Sequence, residues 1–497
     1  MKLIYNTDAT PKQMGYGQTL LFALQQLLAI LAATILVPMI IGSGMSTSAA
    51  LFGAGVGTLV YQLFTKFRSP VFLGSSFAFL SSMSAAFAGA ASMQAGFLGL
   101  IIGAILAGLI YVVIALVVRS VGSGWVDKLM PAAIIGPTVA IIGLSLAGNA
   151  VKDAVGASKG IVWFCDKNNI NSYIMNGKGM VYLAIALITL FTIVICSVNN
   201  KKMIKLIPFV IGIGVGYVIA AILTAIGEGA GVETLKIIDF SGFKNMDWVP
   251  DFTFIEAFKG FGDLTPAFIG TIAVAYVPVA FVVFAEHIAD HKNLSSIIGK
   301  DLLADPGLDK TLLGDGVGSM AGAFFGGCPN TTYGESIGCV AISGNASVWT
   351  TTCAAAMAIV FSFLAPFGTF LASIPKCVMG GVCFALYGFI AVSGLKMLQK
   401  VDLGDNKNLF TVSAILIAGV GSLTLTFGKV NEEGFGDHVT LTSVACALIL
   451  GIVVRLIVTS KFFNREDAAS EAVSDDAAPA EVAEEAVEVS ADEGDKE

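Results

Sequence analysis

Cys328-Pro-Asn-Thr-Thr-Tyr-Gly-Glu335-Ser-Ile-Gly338-Cys-Val-Ala-Ile-Ser343 is a short polar insert in an otherwise oily chain, broken by Pro329, Gly334 and Gly338. Apolar runs flank it on both sides, so Glu335 reads as a carboxyl at membrane depth. Backbone amides left unpaired by such a break survive in a bilayer only where protein or a water-filled cavity covers them. An ionisable side chain in that setting marks a candidate functional site. A structural role is compatible with this one: Glu335 would accept backbone N–H groups at a helix start, where an anion is favoured.

The rest of the chain is that of an integral membrane protein. Of its 497 residues, 56% are hydrophobic and 13% charged, against about 25% charged in a soluble domain. Mean hydropathy is +0.83. The 56 glycines suit close helix packing in lipid. An acidic C-terminal tail supplies most of the net charge of −8. No basic patch with interleaved aromatics is evident, so no nucleic-acid partner is expected. The N-terminus (1–17) is polar, and the apolar run from Gln18 is too long for a signal peptide. The 8 cysteines are scattered without metal-ligand spacing and read as free, buried thiols.

A helix needs about 20 apolar residues to span a bilayer. Apolar segments fall near 18–41, 48–65, 75–90, 93–118, 130–149, 179–199, 205–227, 264–289, 312–327, 335–345, 348–373, 377–398, 408–428 and 438–460. This set of fourteen predicts an all-α polytopic protein. Lys and Arg concentrate in alternate loops, which by the positive-inside rule puts both termini in the cytoplasm. Two longer outside loops, about 150–178 and 228–263, stand out, the second carrying Trp248 and Pro250. From Arg465 the chain is Ala-, Glu-, Asp-, Ser- and Val-rich without aromatics, the composition of a disordered tail.

The chain also repeats weakly. Ser69-Pro-Val-Phe-Leu-Gly74-Ser-Ser76-Phe77 resembles Cys328-Pro-Asn-Thr-Thr-Tyr-Gly334-Glu-Ser336, and Pro131-Ala-Ala-Ile-Ile-Gly136 resembles Pro375-Lys-Cys-Val-Met-Gly380. Each pair is separated by about half the chain and by seven segments. An odd number of spans per repeat inverts the second copy, the design of many secondary transporters. Half-helices starting at Ser75 and Glu335 would then aim their free amides at one place near the midplane.

The polar groups that could act there are few. Glu286 ends the apolar run 274–285 and shares a helix face with Asp290, four residues on. Asp290 reads either as its partner or as a marker of the cytoplasmic exit. His287 and His291 read as exit residues reaching water. Burial disfavours the charged form of a carboxyl, so such a group can exchange a proton as its surroundings change, which is what proton coupling needs. A planar ligand with alternating N–H and C=O groups fits: carboxylates accept its N–H groups and free backbone N–H groups donate to its carbonyls. Phe77, Tyr333 and Tyr387 are candidates to stack on or bond to its ring, with simple packing as the alternative for each. There is no phosphate-binding Gly-x4-Gly-Lys loop, so ATP-driven transport is not expected, and neither a metal site nor another cofactor is expected.

These residues resemble the nucleobase–ascorbate transporter family, in particular its bacterial uracil permeases. The resemblance runs from about Gln18 to Phe463. It rests on Pro329-Asn-Thr-Thr-Tyr-Gly-Glu335, Leu73-Gly-Ser-Ser-Phe-Ala-Phe79, Ala285-Glu-His-Ile288, Lys300-Asp-Leu-Leu-Ala-Asp-Pro-Gly307 and Tyr387-Gly-Phe-Ile-Ala-Val-Ser-Gly394. It implies fourteen transmembrane segments as two inverted seven-segment repeats, with two short antiparallel strands at the broken third and tenth segments. The implied layout is a cytoplasmic N-terminus (1–17), a core domain (18–129 and 264–374), a gate domain (130–263 and 375–463) and the tail (464–497). The resemblance further implies that Glu286 and Glu335 hydrogen-bond a uracil ring, that Phe77 packs on it, and that the backbone at Tyr333 and Gly334 adds contacts. Ala33 should line the site, and Asp290 stands where uracil permeases often carry a histidine linked to proton coupling. Two departures are Gln25-Gln26, in place of the usual Gln-His, and Ser336, in place of Asn after the glutamate.

The reading that follows is proton-coupled uracil uptake across the cytoplasmic membrane by alternating access, with Glu286 linking proton to substrate and Asp290 its partner. Sodium is the other ion that could couple. The nearest rival is a xanthine or other purine permease on the same fold; Glu335 and the Gly-Ser-Ser-Phe motif favour uracil. An anion transporter of this architecture would need a cation at the broken helices, and none lies near Ser75 or Glu335. An intramembrane enzyme would need a metal constellation or an activated nucleophile. Lipid surrounds the chain, and the resemblance allows a homodimer through the gate domain.

Overall fold

The computed structural model describes residues 3–460 apart from 123, 126–129, 157–162, 166–170, 174–175, 245, 400 and 429–437. The tail from 464 and part of the outer loop 150–178 therefore lie outside the described residues. The first half of the chain folds into α1 (Tyr16–Ile41), α2 (Thr47–Phe64), β1 (Leu73–Ser75), α3 (Leu80–Ala88), α4 (Met93–Val121), α5 (Ala132–Ser145), α6 (Ala147–Val155), α7 (Gly177–Val198) and α8 (Pro208–Ala230). The second half gives α9 (Pro266–Ile298), α10 (Leu308–Gly326), β2 (Asn330–Thr332), α11 (Gly334–Ser343), α12 (Val348–Ser362), α13 (Ala365–Ala372), α14 (Lys376–Leu398), α15 (Asn406–Val420) and α16 (Ser443–Val458).

Among the described residues, eight helices are long and apolar enough to cross a membrane, or nine if the bent pair α12–α13 counts as one. Their starts follow ordinary capping chemistry. Ser46, Ser92, Asn176, Thr265 and Thr442 each accept a backbone N–H from the first turn of the helix they precede. At its C-terminus α9 stops at Gly299, whose φ of +68° an L side chain rarely adopts.

Three expectations need correction. The apolar stretch 348–373 is not one straight helix: α12 and α13 meet at 84°. Pro366 sits in the first turn of α13, where it lacks an N–H to continue α12 and disfavours helical geometry at Ala365. The first half-helix does not begin at Ser75, which belongs to β1; a 3-10 turn over Phe77–Phe79 precedes α3 at Leu80. Finally, α9 runs 33 residues to Ile298. At 1.5 Å per residue this is about 50 Å, so His287 and His291 lie well inside it. Both are completely buried rather than facing water.

The helices pack as two groups, each drawn from both halves of the chain. In one, α1–α4 lie against α9–α13; in the other, α5–α8 lie against α14–α16. Small residues make the tightest contacts possible. A Cβ on Gly53 of α2 would lie 2.5 Å from the carbonyl oxygen of Gly322 on α10, and one on Gly143 of α5 would lie 2.3 Å from that of Tyr387 on α14. Phe191, Ile195, Val218 and Ile222 on α7 and α8 point outward, an apolar surface of the kind a bilayer covers.

Candidate functional site

The two chain breaks meet. β1 and β2 pair antiparallel, with Leu73 opposite Thr332, Gly74 opposite Thr331 and Ser75 opposite Asn330. The Ser76 N–H extends the ladder to the Pro329 carbonyl at 2.9 Å. The pair is embedded in the first helix group. Thr58 accepts the Leu73 N–H at 2.9 Å, and the Asn330 side-chain amide donates to the Gly53 carbonyl at 3.0 Å. Backbone groups that lipid would leave unpaired are thereby satisfied.

Residues 333–335 cross from β2 into α11. Tyr333 is buried and donates its hydroxyl to the Ser75 carbonyl at 2.5 Å, so its ring lies across Gly74. Gly334 is exposed and has open space where a Cβ would stand. Glu335, half-buried, occupies the first turn of α11, where the helix dipole favours an anion. Across the strand pair, Phe77 opens the 3-10 turn and meets Tyr387 of α14 edge-on, with ring centroids 6.1 Å apart. The Tyr387 hydroxyl is buried beside the Cys383 thiol. The Phe77–Tyr387 contact joins the two helix groups.

Glu286 and Asp290 approach from α9, both half-buried. Asp290 is tied to β2: the Thr332 hydroxyl donates to its Oδ2 at 2.6 Å. Glu286 lies within electrostatic reach of Asp290, Glu335 and Asp315, and Asp290 within reach of Glu335 and Asp315. Ala33, by contrast, is packed inside α1 at 1% exposure. One helical turn further along α1, Leu36 lines a cavity of about 630 Å³ that also takes in Met39, Asp153, Thr369, Lys376 and Met379.

Sequence reading missed a buried polar network beside this site. His287 Nδ1 lies 2.7 Å from Asp315 Oδ2, and its Nε2 lies 3.1 Å from the Thr311 hydroxyl. His291 donates from Nδ1 to the His287 carbonyl at 2.8 Å, and its Nε2 lies 2.8 Å from the Tyr61 hydroxyl, itself 2.8 Å from Ser69 Oγ. Asp315 is an acid in the interior of the Gly-rich α10, beyond its first turn, which was the one available signal. A second contact links the two departures from the family pattern: Gln26 Nε2 donates to Ser336 Oγ at 2.7 Å. The side chains that differ are thus partners across α1 and α11.

With this geometry, comparison with known proteins becomes decisive. Residues 17–427 match the sequence model of the permease family that includes xanthine and uracil permeases. The chain belongs to the nucleobase–ascorbate transporter family. It is 38% identical to the uracil permease of Bacillus subtilis (strain 168) over 438 residues, 88% of this chain and 91% of that protein. It is 37% identical to the uracil permease of Bacillus caldolyticus (90% and 93% covered) and 33% identical to that of Escherichia coli (strain K12; 91% and 95% covered). Among solved structures, the transmembrane domain of the cyanobacterial bicarbonate transporter BicA superposes with a TM-score of 0.58 at 15% identity, covering 91% of this chain and 98% of that one. SLC26A9 gives 0.59 at 14%, covering 90% and 66%. At such identities these structures speak for the fold. The protein is a multi-pass membrane permease.

Proposed function

We propose that this permease takes up uracil across the cytoplasmic membrane, coupled to protons, by alternating access. What carries the reading is the convergence of Glu335, Gly334 and Phe77 around the paired breaks with Glu286 beside them, in a chain whose relatives are uracil permeases. The ring N–H groups of uracil donate to the Glu286 and Glu335 carboxylates, and free N–H groups at the start of α11 donate to a ring carbonyl. Phe77 and Tyr387 pack against the ring. Tyr333 and Ala33 shape the site from behind, since Tyr333 holds Gly74 and Ser75 in place and Ala33 is buried.

In this mechanism Glu335 remains a fixed acceptor at a helix start. Glu286 changes protonation with substrate occupancy, and Asp290, already bonded to Thr332, is its partner. Fourteen segments in two inverted repeats form a core domain (18–129 and 264–374) that carries the base and a gate domain (130–263 and 375–463) that opens around it. The helix grouping and the Phe77–Tyr387 contact support that division. Both termini face the cytoplasm, and a homodimer would form through the gate domain.

The test is uptake of radiolabelled uracil into proteoliposomes under an imposed pH gradient. Accumulation should collapse with the gradient, and Glu286→Gln should abolish coupled uptake. Full affinity and uptake in both Glu286→Gln and Glu335→Gln would sink the site assignment. Accumulation driven by a sodium gradient alone would replace the proton, and competition by unlabelled xanthine at matching affinity would move the substrate to the purines.

A further inference from the structure

The N-terminal segment does not leave the fold; it runs beneath the end of the half-helix that carries Glu335. The Ile4 and Tyr5 N–H groups donate to the Gly344 carbonyl at 2.8 and 3.2 Å. In return the Ala346 N–H donates to the Tyr5 carbonyl at 2.9 Å and the Val348 N–H to the Thr7 carbonyl at 3.2 Å. The Ser347 hydroxyl donates to the Ala9 carbonyl at 2.6 Å. Gly344 is the C-cap of α11 and Val348 the first residue of α12, so the segment pairs backbone groups that both helix ends leave without intrahelical partners.

Its side chains make the attachment specific. Leu3 packs on the apolar cluster that includes Val71 and Leu73 beneath β1 and Ile337 and Val340 on α11. The Tyr5 hydroxyl donates to Gln18 Oε1 of α1 at 3.1 Å, and its ring meets Phe22 edge-on. One short segment therefore ties α1, β1 and α11 together. α11 has only 10 residues, about 15 Å of helix. Beyond the strand pair at its start and the Gln26–Ser336 bond near it, its far end is held by this attachment together with the packing of Cys339 and Ile342 on Ala29 and Leu206. Any tilt or slide of α11 about that end moves Glu335 at the other.

We propose that Leu3–Ala9 is a positioning strap that sets the depth and tilt of α11 and so the place of Glu335. The inference rests on the uracil reading for its affinity test, but not for its structural one. Ile4→Pro removes a strap donor, and Ser347→Ala removes the bond from the opposite side. In the full-length protein each should weaken equilibrium uracil binding about fivefold, which is about 1 kcal/mol. The double variant should be less than additive, because both cut the same attachment.

A purely structural role would lower the yield of folded protein while leaving the dissociation constant of the folded fraction unchanged; that result overturns the proposal. Hydrogen exchange is read in parallel without ligand. In Ile4→Pro the amides of Ala346, Val348 and the last turn of α11 should exchange faster, and unchanged exchange also overturns the proposal. Tyr5→Phe, which removes only the hydroxyl, keeps the test open if Ile4→Pro does not fold. Should the wild-type protein fail to bind uracil while the exchange result holds, the substrate reading falls and the strap stands.

Discussion

Gly74→Ala probes the platform at its tightest point. Gly74 lies in β1, and a Cβ there would come within 2.4 Å of Tyr333 Cε2, 2.6 Å of its Cζ and 3.0 Å of Thr34 Oγ1. An ordinary contact begins near 3.4 Å, so the ring must retreat by about 1 Å. It has little freedom to do so: Tyr333 is 4% exposed, and its hydroxyl is committed to the Ser75 carbonyl at 2.5 Å. Overpacking of this kind costs about 1–3 kcal/mol, and losing the hydroxyl bond adds about 0.5–1.5 kcal/mol. Because Gly334 and Glu335 follow Tyr333 directly, the displacement reaches the proposed substrate site. Affinity for uracil should fall roughly tenfold, by about 1.4 kcal/mol, together with a lower thermal midpoint in detergent. Isothermal titration and thermal unfolding of the purified variant provide the readouts. Tyr333→Ala removes the obstacle, so the double variant should lose less than the sum of the two single losses. Wild-type affinity and midpoint in Gly74→Ala would refute the placement of Tyr333 and, with it, the account of how the strand pair positions Glu335.

The remaining predictions concern charge. Asp315→Ala leaves Nδ1 of the buried His287 without its acid partner; an unsatisfied buried polar group costs about 1–3 kcal/mol, so the thermal midpoint should fall. Removing both members with Asp315→Ala and His287→Leu should cost less than the sum of the separate losses. On the surface, Asp305 accepts from Arg68 at 2.8 Å and pairs with Lys300 at 3.0 Å. Arg68, then Lys300, hold its carboxyl below the ordinary carboxylate range. A lowered carboxyl contributes stability above its unfolded pKa, about 3.9, and loses that contribution as pH falls through the folded value. The difference in thermal midpoint between wild type and Arg68→Ala should therefore be constant from pH 5 to 8, shrink below about pH 4 and diminish in high salt.

Much of this molecule is written locally in the chain. Low charge and long apolar runs establish a multi-pass membrane protein, and Pro329, Gly334 and Glu335 mark the place where the spans are interrupted. What stays hidden depends on distance or on ambiguous polarity. His287 and His291 precede Lys292, so they read as an exit into water; only the partners Asp315, Thr311 and Tyr61 on neighbouring helices make their burial tolerable. Asp315 lies 28 residues beyond His287 in a helix of glycines and alanines, and no pattern within α10 indicates what it faces. Gln26 and Ser336 are 310 residues apart. Each departs from the family pattern when read alone, and only the fold shows that the two changes meet. The bend between α12 and α13 was within reach of sequence, because Pro366 breaks helices, but the hydropathy of 348–373 conceals it.

The same fold at 15% identity houses a bicarbonate transporter, so architecture alone does not choose the cargo. What it supplies is a platform: paired strands, the second running directly into α11, whose first-turn N–H groups have no partner within the helix. Those amides and the helix dipoles favour negative charge at that place, whatever provides it. In this chain Glu335 provides it from within the protein, in the first turn of α11, with Glu286 alongside. A dissolved anion arriving there would meet carboxylates rather than an unfilled positive site, and like charges in a poorly solvated pocket repel strongly. A neutral ring that donates N–H groups to those carboxylates while accepting from the remaining amides meets complementary partners on both sides. Under the proposed function, the residues that make the platform negative exclude one class of cargo as they select the other.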